Sequence, residues 1–198
     1  MPYYKKIKQL LCACLLGLLA MSAASVYAAG NSSLVIENAE LLLQDDGYEL
    51  NADVDIKFNP EIERAIIKGF ELNFLVEFQL VSPRKYWFDD EIVTVTHPVT
   101  LSYHALSRQY LLMRGDQQKV FATLEEAKQA LSEIRDVKVL QKSDIEKGEP
   151  YKAILLMRLD HSKLPKALQV ETIGSDEWKI HSQRFEWVPN FSKLESAK

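Results

Sequence analysis

Any chemistry this chain performs has to be drawn from a small stock of side chains. Its four histidines, His97, His104, His161 and His181, include no pair at metal-ligand spacing, so only a zinc site assembled from distant strands would use them. Asp160-His161-Ser162 contains the residue types of a hydrolytic relay, but neighbours on an extended chain point to opposite sides, and no Gly-x-Ser-x-Gly elbow is present. Asp89-Asp90-Glu91 lacks an EF-hand loop and reads as a solvated turn. With seven glycines and neither a phosphate loop nor a dinucleotide fingerprint, nucleotide chemistry is unsupported. What remains is a set of aromatic and arginine side chains: Arg84, Tyr86, Trp87, Tyr103, Arg108, Tyr110 and Arg158, with Trp187. Such residues combine contact area with fixed hydrogen-bond geometry and are common at binding surfaces. The competing reading places the rings in the core and pairs the arginines with Asp89, Asp90 and Asp160. No catalytic residue, metal or cofactor is expected.

The elements that must position this set are mostly strands. Leu72, Phe74, Val76, Phe78 and Leu80 alternate with Asn73, Glu77 and Gln79, the signature of a half-buried strand. Tyr48 to Phe58 alternates in the same way, and Asp46-Gly47 before it predicts a hairpin with Leu34–Gln44, because glycine reaches positive φ without steric cost. Asn59-Pro60-Glu61 opens a short helix ended by Gly69, with Ile62, Ala65 and Ile66 on its apolar side. Pro83 breaks the third strand, after which Tyr86, Trp87 and Phe88 are expected to continue extended. Glu91–Thr96 and Val99–Tyr103 read as two runs split by His97-Pro98, followed by strands at Arg108–Met113 and Lys119–Phe121. Thr123-Leu124-Glu125-Glu126 fits a capping box, with Leu124, Ala127, Leu131 and Ile134 as the stripe of the helix behind it. Further strands are expected at Val137–Leu140, Tyr151–Leu159 and Glu177–Val188, with Ala167–Ile173 following the turn-rich Asp160–Lys166. About nine or ten short strands and two helices predict a mainly β fold, an immunoglobulin-like antiparallel β-sandwich. An α+β sheet covered by the second helix is the alternative.

Residues 1–28 have a basic start at Lys5, Lys6 and Lys8, an apolar run from Leu10 to Met21, and a small-residue ending at Val26-Tyr27-Ala28. These are the three regions of a secretory signal peptide. The run is about a dozen residues, short of the roughly 20 that span a bilayer, which favours cleavage near Ala28 over an uncleaved anchor. A lipid-modified Cys12 or Cys14 would leave too little apolar chain ahead of it. Both cysteines fall in this segment, so the exported chain would have neither disulfide nor thiol chemistry. Losing the three lysines takes the formal charge from -4 to -7, which gives no electrostatic basis for nucleic-acid or anionic-membrane binding. The expected organisation is a signal peptide over 1–28, one β-rich domain over 29–188 and a polar tail over 189–198. The expected location is periplasmic or secreted, with membrane contact only through an uncleaved segment.

Arg84-Lys85-Tyr86-Trp87, then Leu101-Ser102-Tyr103-His104-Ala105-Leu106-Ser107-Arg108-Gln109-Tyr110, then Arg158-Leu159-Asp160 with Lys163-Leu164-Pro165, and finally Glu177-Trp178, occur in this order. In that pattern the chain resembles the exported proteobacterial family known as domain of unknown function 4390. The resemblance spans essentially everything after the signal segment. It departs at Ala167, where a second proline is usual after Lys166. It implies an envelope protein of no established activity, and a genomic setting beside a membrane sensor histidine kinase. The expectation is thus a non-enzymatic interaction domain, with an envelope or membrane-sensor protein as partner. A hydrolase or metal-dependent enzyme using distant residues such as His104 and Asp160, or a structural envelope component, are the alternatives.

Overall fold

A computed structural model of the chain describes residues 31–191 apart from Trp87, Lys147 and 172–175. The expected signal segment with Cys12 and Cys14, the Trp87 contact and the tail beyond Phe191 lie outside the described residues. Among the described residues nine strands form two antiparallel sheets, one ordered β1-β2-β7 and the other β6-β5-β4-β3-β8-β9. Their spans are β1 Ser33–Gln44, β2 Gly47–Lys57, β3 Leu72–Ser82, β4 Asp90–His104, β5 Gln109–Arg114, β6 Gln117–Phe121, β7 Glu133–Gln141, β8 Lys152–Leu159 and β9 Phe185–Trp187. The helices are α1 Pro60–Ile67, α2 Leu124–Ser132 and α3 Lys166–Glu171.

Alternation produces the layers. Tyr48, Leu50, Ala52, Val54 and Ile56 turn inward from β2, and Leu72, Phe74, Val76, Phe78 and Leu80 from β3. They meet Leu101, Leu112, Leu131, Leu155, Met157 and Leu159 in one continuous apolar core. Each fully buried aliphatic or aromatic side chain there contributes roughly 1.5–3 kcal/mol of transfer free energy. The result is a mainly β antiparallel sandwich, as the sequence periods imply.

Several local expectations change. The β1–β2 hairpin turns on Asp45-Asp46, and its positive φ belongs to Asp45, at 51°. Gly47 is already in β2, opposite Gln44 and Gln141; a Cβ there would lie 2.7 Å from the Leu140 carbonyl oxygen, so close approach rather than positive φ requires the glycine. Tyr86 and Phe88 lie in a loop, because β3 ends at Ser82 and β4 starts only at Asp90. His97-Pro98 does not divide β4, since Pro98 pairs opposite Leu75 inside one continuous ladder. Ile134 belongs to β7, which begins as soon as α2 ends. Lys166–Glu171 is helical. Of the last expected strand only Phe185–Trp187 forms one, beside a 3-10 turn at Asp176–Trp178 and a single bridge between His181 and Arg158. Ser182 substitutes for ladder there: its N–H donates to the Met157 carbonyl and its Oγ accepts from the Met157 N–H. Phe191, expected in a frayed tail, packs edge-on against Tyr48 at 4.9 Å and Tyr151 at 5.6 Å.

Candidate functional site

The long β3–β4 hairpin carries the first group of candidate residues on its loop. Pro83 cannot donate to a ladder, and the chain leaves the sheet there. The stem is pinned on both sides by charge: Arg84 pairs with Asp90, and the Lys152 Nζ on β8 lies 3.2 Å from Asp89 and 3.5 Å from Glu186. These carboxylates raise the Lys152 pKa, with the hydrogen bond to Asp89 the largest cause. Above the pinned stem Tyr86 is 84% exposed and Phe88 93% exposed, with the Lys85 ammonium 5.8 Å from the Tyr86 ring centre. Two large rings in water are not a folding requirement. They are available for contact.

The remaining candidates lie elsewhere. Tyr103 and Tyr110 pair directly across β4 and β5 with ring centres 4.9 Å apart, and both pack against the core. Desolvation of the Tyr110 hydroxyl, followed by the neighbouring Tyr103, raises its pKa. Arg108 is an exposed turn residue between those strands, with φ 55°. At about 3.3 Å per strand residue, Tyr103 lies about 40 Å along β4 from the Arg84 loop. Arg158, on β8, donates Nε and Nη2 to Glu77 Oε1 at 3.0 and 2.7 Å, on the outer face of the six-stranded sheet. Trp187 packs against Phe78 and Phe185. The expected set is therefore distributed. Arg84 and Tyr86 share the β3–β4 loop; Tyr103, Arg108 and Tyr110 share the opposite hairpin; Arg158 belongs to a separate outer-face pair. Phe88 was not singled out by the sequence, although its place beside Tyr86 and Trp87 before two aspartates was the available signal.

The groups considered for catalysis have local partners. Asp160 Oδ1 accepts from the Ser162 N–H at 3.0 Å and its hydroxyl at 2.6 Å, while His161 Nε2 lies 2.6 Å from the Trp178 carbonyl, so the tripeptide forms a turn and not a relay. His104 Nδ1 lies 3.0 Å from Ser107 Oγ within its own hairpin. Among the described residues no three His, Cys, Asp or Glu side chains gather around a possible metal position, and no helix is long and apolar enough to cross a membrane.

Comparison with curated proteins finds no match, and comparison with solved structures finds none. A family model does match, and it covers residues 31–188, the whole sandwich from β1 through β9. By that match the chain belongs to the family described as domain of unknown function (DUF4390).

Proposed function

We propose that this protein is a non-enzymatic interaction domain of the bacterial envelope, exported by its amino-terminal segment, and that the β3–β4 loop is the part that touches a partner protein. One observation carries the reading: Tyr86 and Phe88 stand almost fully in water on a loop whose two stems are fixed by Arg84–Asp90 and Lys152–Asp89. Exposed aromatic side chains on a braced support supply contact area with little entropy to lose on binding. A membrane sensor protein is the partner class that the family resemblance favours.

A photoreactive amino acid placed at position 86 tests the reading in intact cells. The expected result is one dominant protein adduct that disappears when Phe88→Ala and Arg84→Ala are introduced beside it. The same probe at Lys119 or Leu106 should not give that adduct. If position 86 yields no adduct above that from those control positions, the loop has no such partner.

A further inference from the structure

β9 leaves its ladder at Trp187, which pairs opposite Ala153. Val188 follows, 79% exposed, and Pro189 has no N–H to offer a neighbour. The chain then turns Phe191 back into the molecule, where its ring meets Tyr48 at 4.9 Å and 70° and Tyr151 at 5.6 Å and 86°. Tyr48 belongs to β2 in the three-stranded sheet, and Tyr151 stands immediately before β8 in the six-stranded one. Val188 to Phe191 is thus a strap that leaves the edge of one sheet and sets a single ring between the two.

The seat under that ring suits an aromatic group. Both tyrosines meet Phe191 edge to face, the arrangement in which the positive rim of one ring lies against the negative face of another. With Phe191 in place, Tyr48 is 0% and Tyr151 5% exposed. The Tyr151 hydroxyl accepts from the Glu146 N–H at 2.9 Å, and Tyr48 is paired in the sheet opposite Leu43 and Leu140. The walls of the seat therefore hold their positions through contacts that do not involve Phe191.

The occupant is held less firmly than the walls. A docked terminal segment loses backbone freedom at every residue it orders, whereas the apolar burial gained here is that of one partly covered phenyl ring. For a strap this short the two effects are of similar size, so its seated and released states lie close in free energy. The family match runs from residue 31 to 188, which places Tyr48 and Tyr151 inside the matched domain and Phe191 beyond it. The domain supplies the seat, and a ring from outside the match fills it.

We infer that Phe191 is a displaceable plug, and that the seat between Tyr48 and Tyr151 takes an aromatic side chain of another protein when the strap lifts. The present occupant defines the class of ligand: a phenyl ring carried on a segment outside any ladder. Tyr151 precedes Lys152, which pairs with Asp89 of the β3–β4 loop and with Glu186 at the root of the strap, so the seat opens at the same end of the sandwich as the aromatic loop. The inference does not depend on the proposed loop contact, and its test uses no partner from the cell.

Fluorine NMR of the full chain with 4-fluorophenylalanine at position 191 reads the plug directly. A peptide with the sequence of residues 188–194 should move the signal from its seated position toward that of a solvent-exposed ring. The same peptide with alanine in place of its phenylalanine should not. Followed on the Tyr48 and Tyr151 ring resonances, the phenylalanine peptide should bind the Phe191→Ala chain roughly three- to tenfold more tightly than the wild type, because the seat is no longer occupied most of the time. Circular dichroism and a cooperative melt should be retained. A fluorine signal that the peptide leaves in place, with equal peptide binding by the two chains, overturns the inference. A Phe191→Ala chain that melts without cooperativity overturns it too, since the ring would then be core. If the wild type dimerises and the peptide dissociates the dimer, the seat belongs to Phe191 of a second copy, and a foreign occupant is ruled out.

Discussion

Asn59 shows how a single residue joins distant parts of this chain. Its carboxamide oxygen accepts from the Glu61 and Ile62 N–H groups at 3.0 and 2.9 Å, which caps α1. Its Nδ2 donates to the Glu177 carbonyl at 3.0 Å, and its backbone N–H donates to Ser32 Oγ at 2.9 Å. Beside it Trp178, 1% exposed, donates Nε1–H to Glu61 Oε1 at 2.6 Å. The cap was legible from Asn59-Pro60-Glu61, since it depends on neighbours in sequence. The tie to Glu177 was not, because nothing local marks a carbonyl 118 residues away as its partner. Asn59→Ala removes a cap and leaves a carbonyl and two N–H groups unmet, which should cost about 2–3 kcal/mol. Urea denaturation followed by tryptophan fluorescence measures this, and a loss near zero would mean that water replaces all three bonds.

Among the elements, α2 follows the sequence most closely. Thr123 Oγ1 accepts from the Glu126 N–H at 3.2 Å and Glu126 Oε2 accepts from the Thr123 N–H at 3.3 Å, the reciprocal pair that the residue spacing implies. Thr123→Ala should lower stability by about 1 kcal/mol, whereas Thr123→Ser should retain most of it; equal melting temperatures for the two variants would contradict that role. β3 and β2 were equally legible, because one buried face forces strict alternation. β4 was not. Pro98 reads as a break when the ladder is unknown, and only the side on which β3 lies shows that its missing N–H faces no partner. The closing segment misled for a related reason: Trp178, Ile180 and Ser182 are buried as strand residues would be, but a 3-10 turn and one bridge position them instead of a ladder. The candidate site suffered most, since Arg84 and Tyr110 look like neighbours on the chain while β4 separates them along its length.

At the scale of the whole molecule, the sandwich interior is filled by apolar side chains, and the features left without an intramolecular task lie on its periphery. They are the aromatic β3–β4 loop and the edge of β4 from Glu91 to Pro98, which has no strand on its second side among the described residues, two parts of one long hairpin. The proposed partner contact rests on that placement. Residue-resolved amide hydrogen exchange tests the β3–β4 register on which this account of the long hairpin depends. The amides of Val95 and His97 should exchange slowly, because β3 holds them, while those of Thr94 and Thr96 should exchange fast. Slow exchange of Thr94 and Thr96, or fast exchange of Val95 and His97, would contradict it.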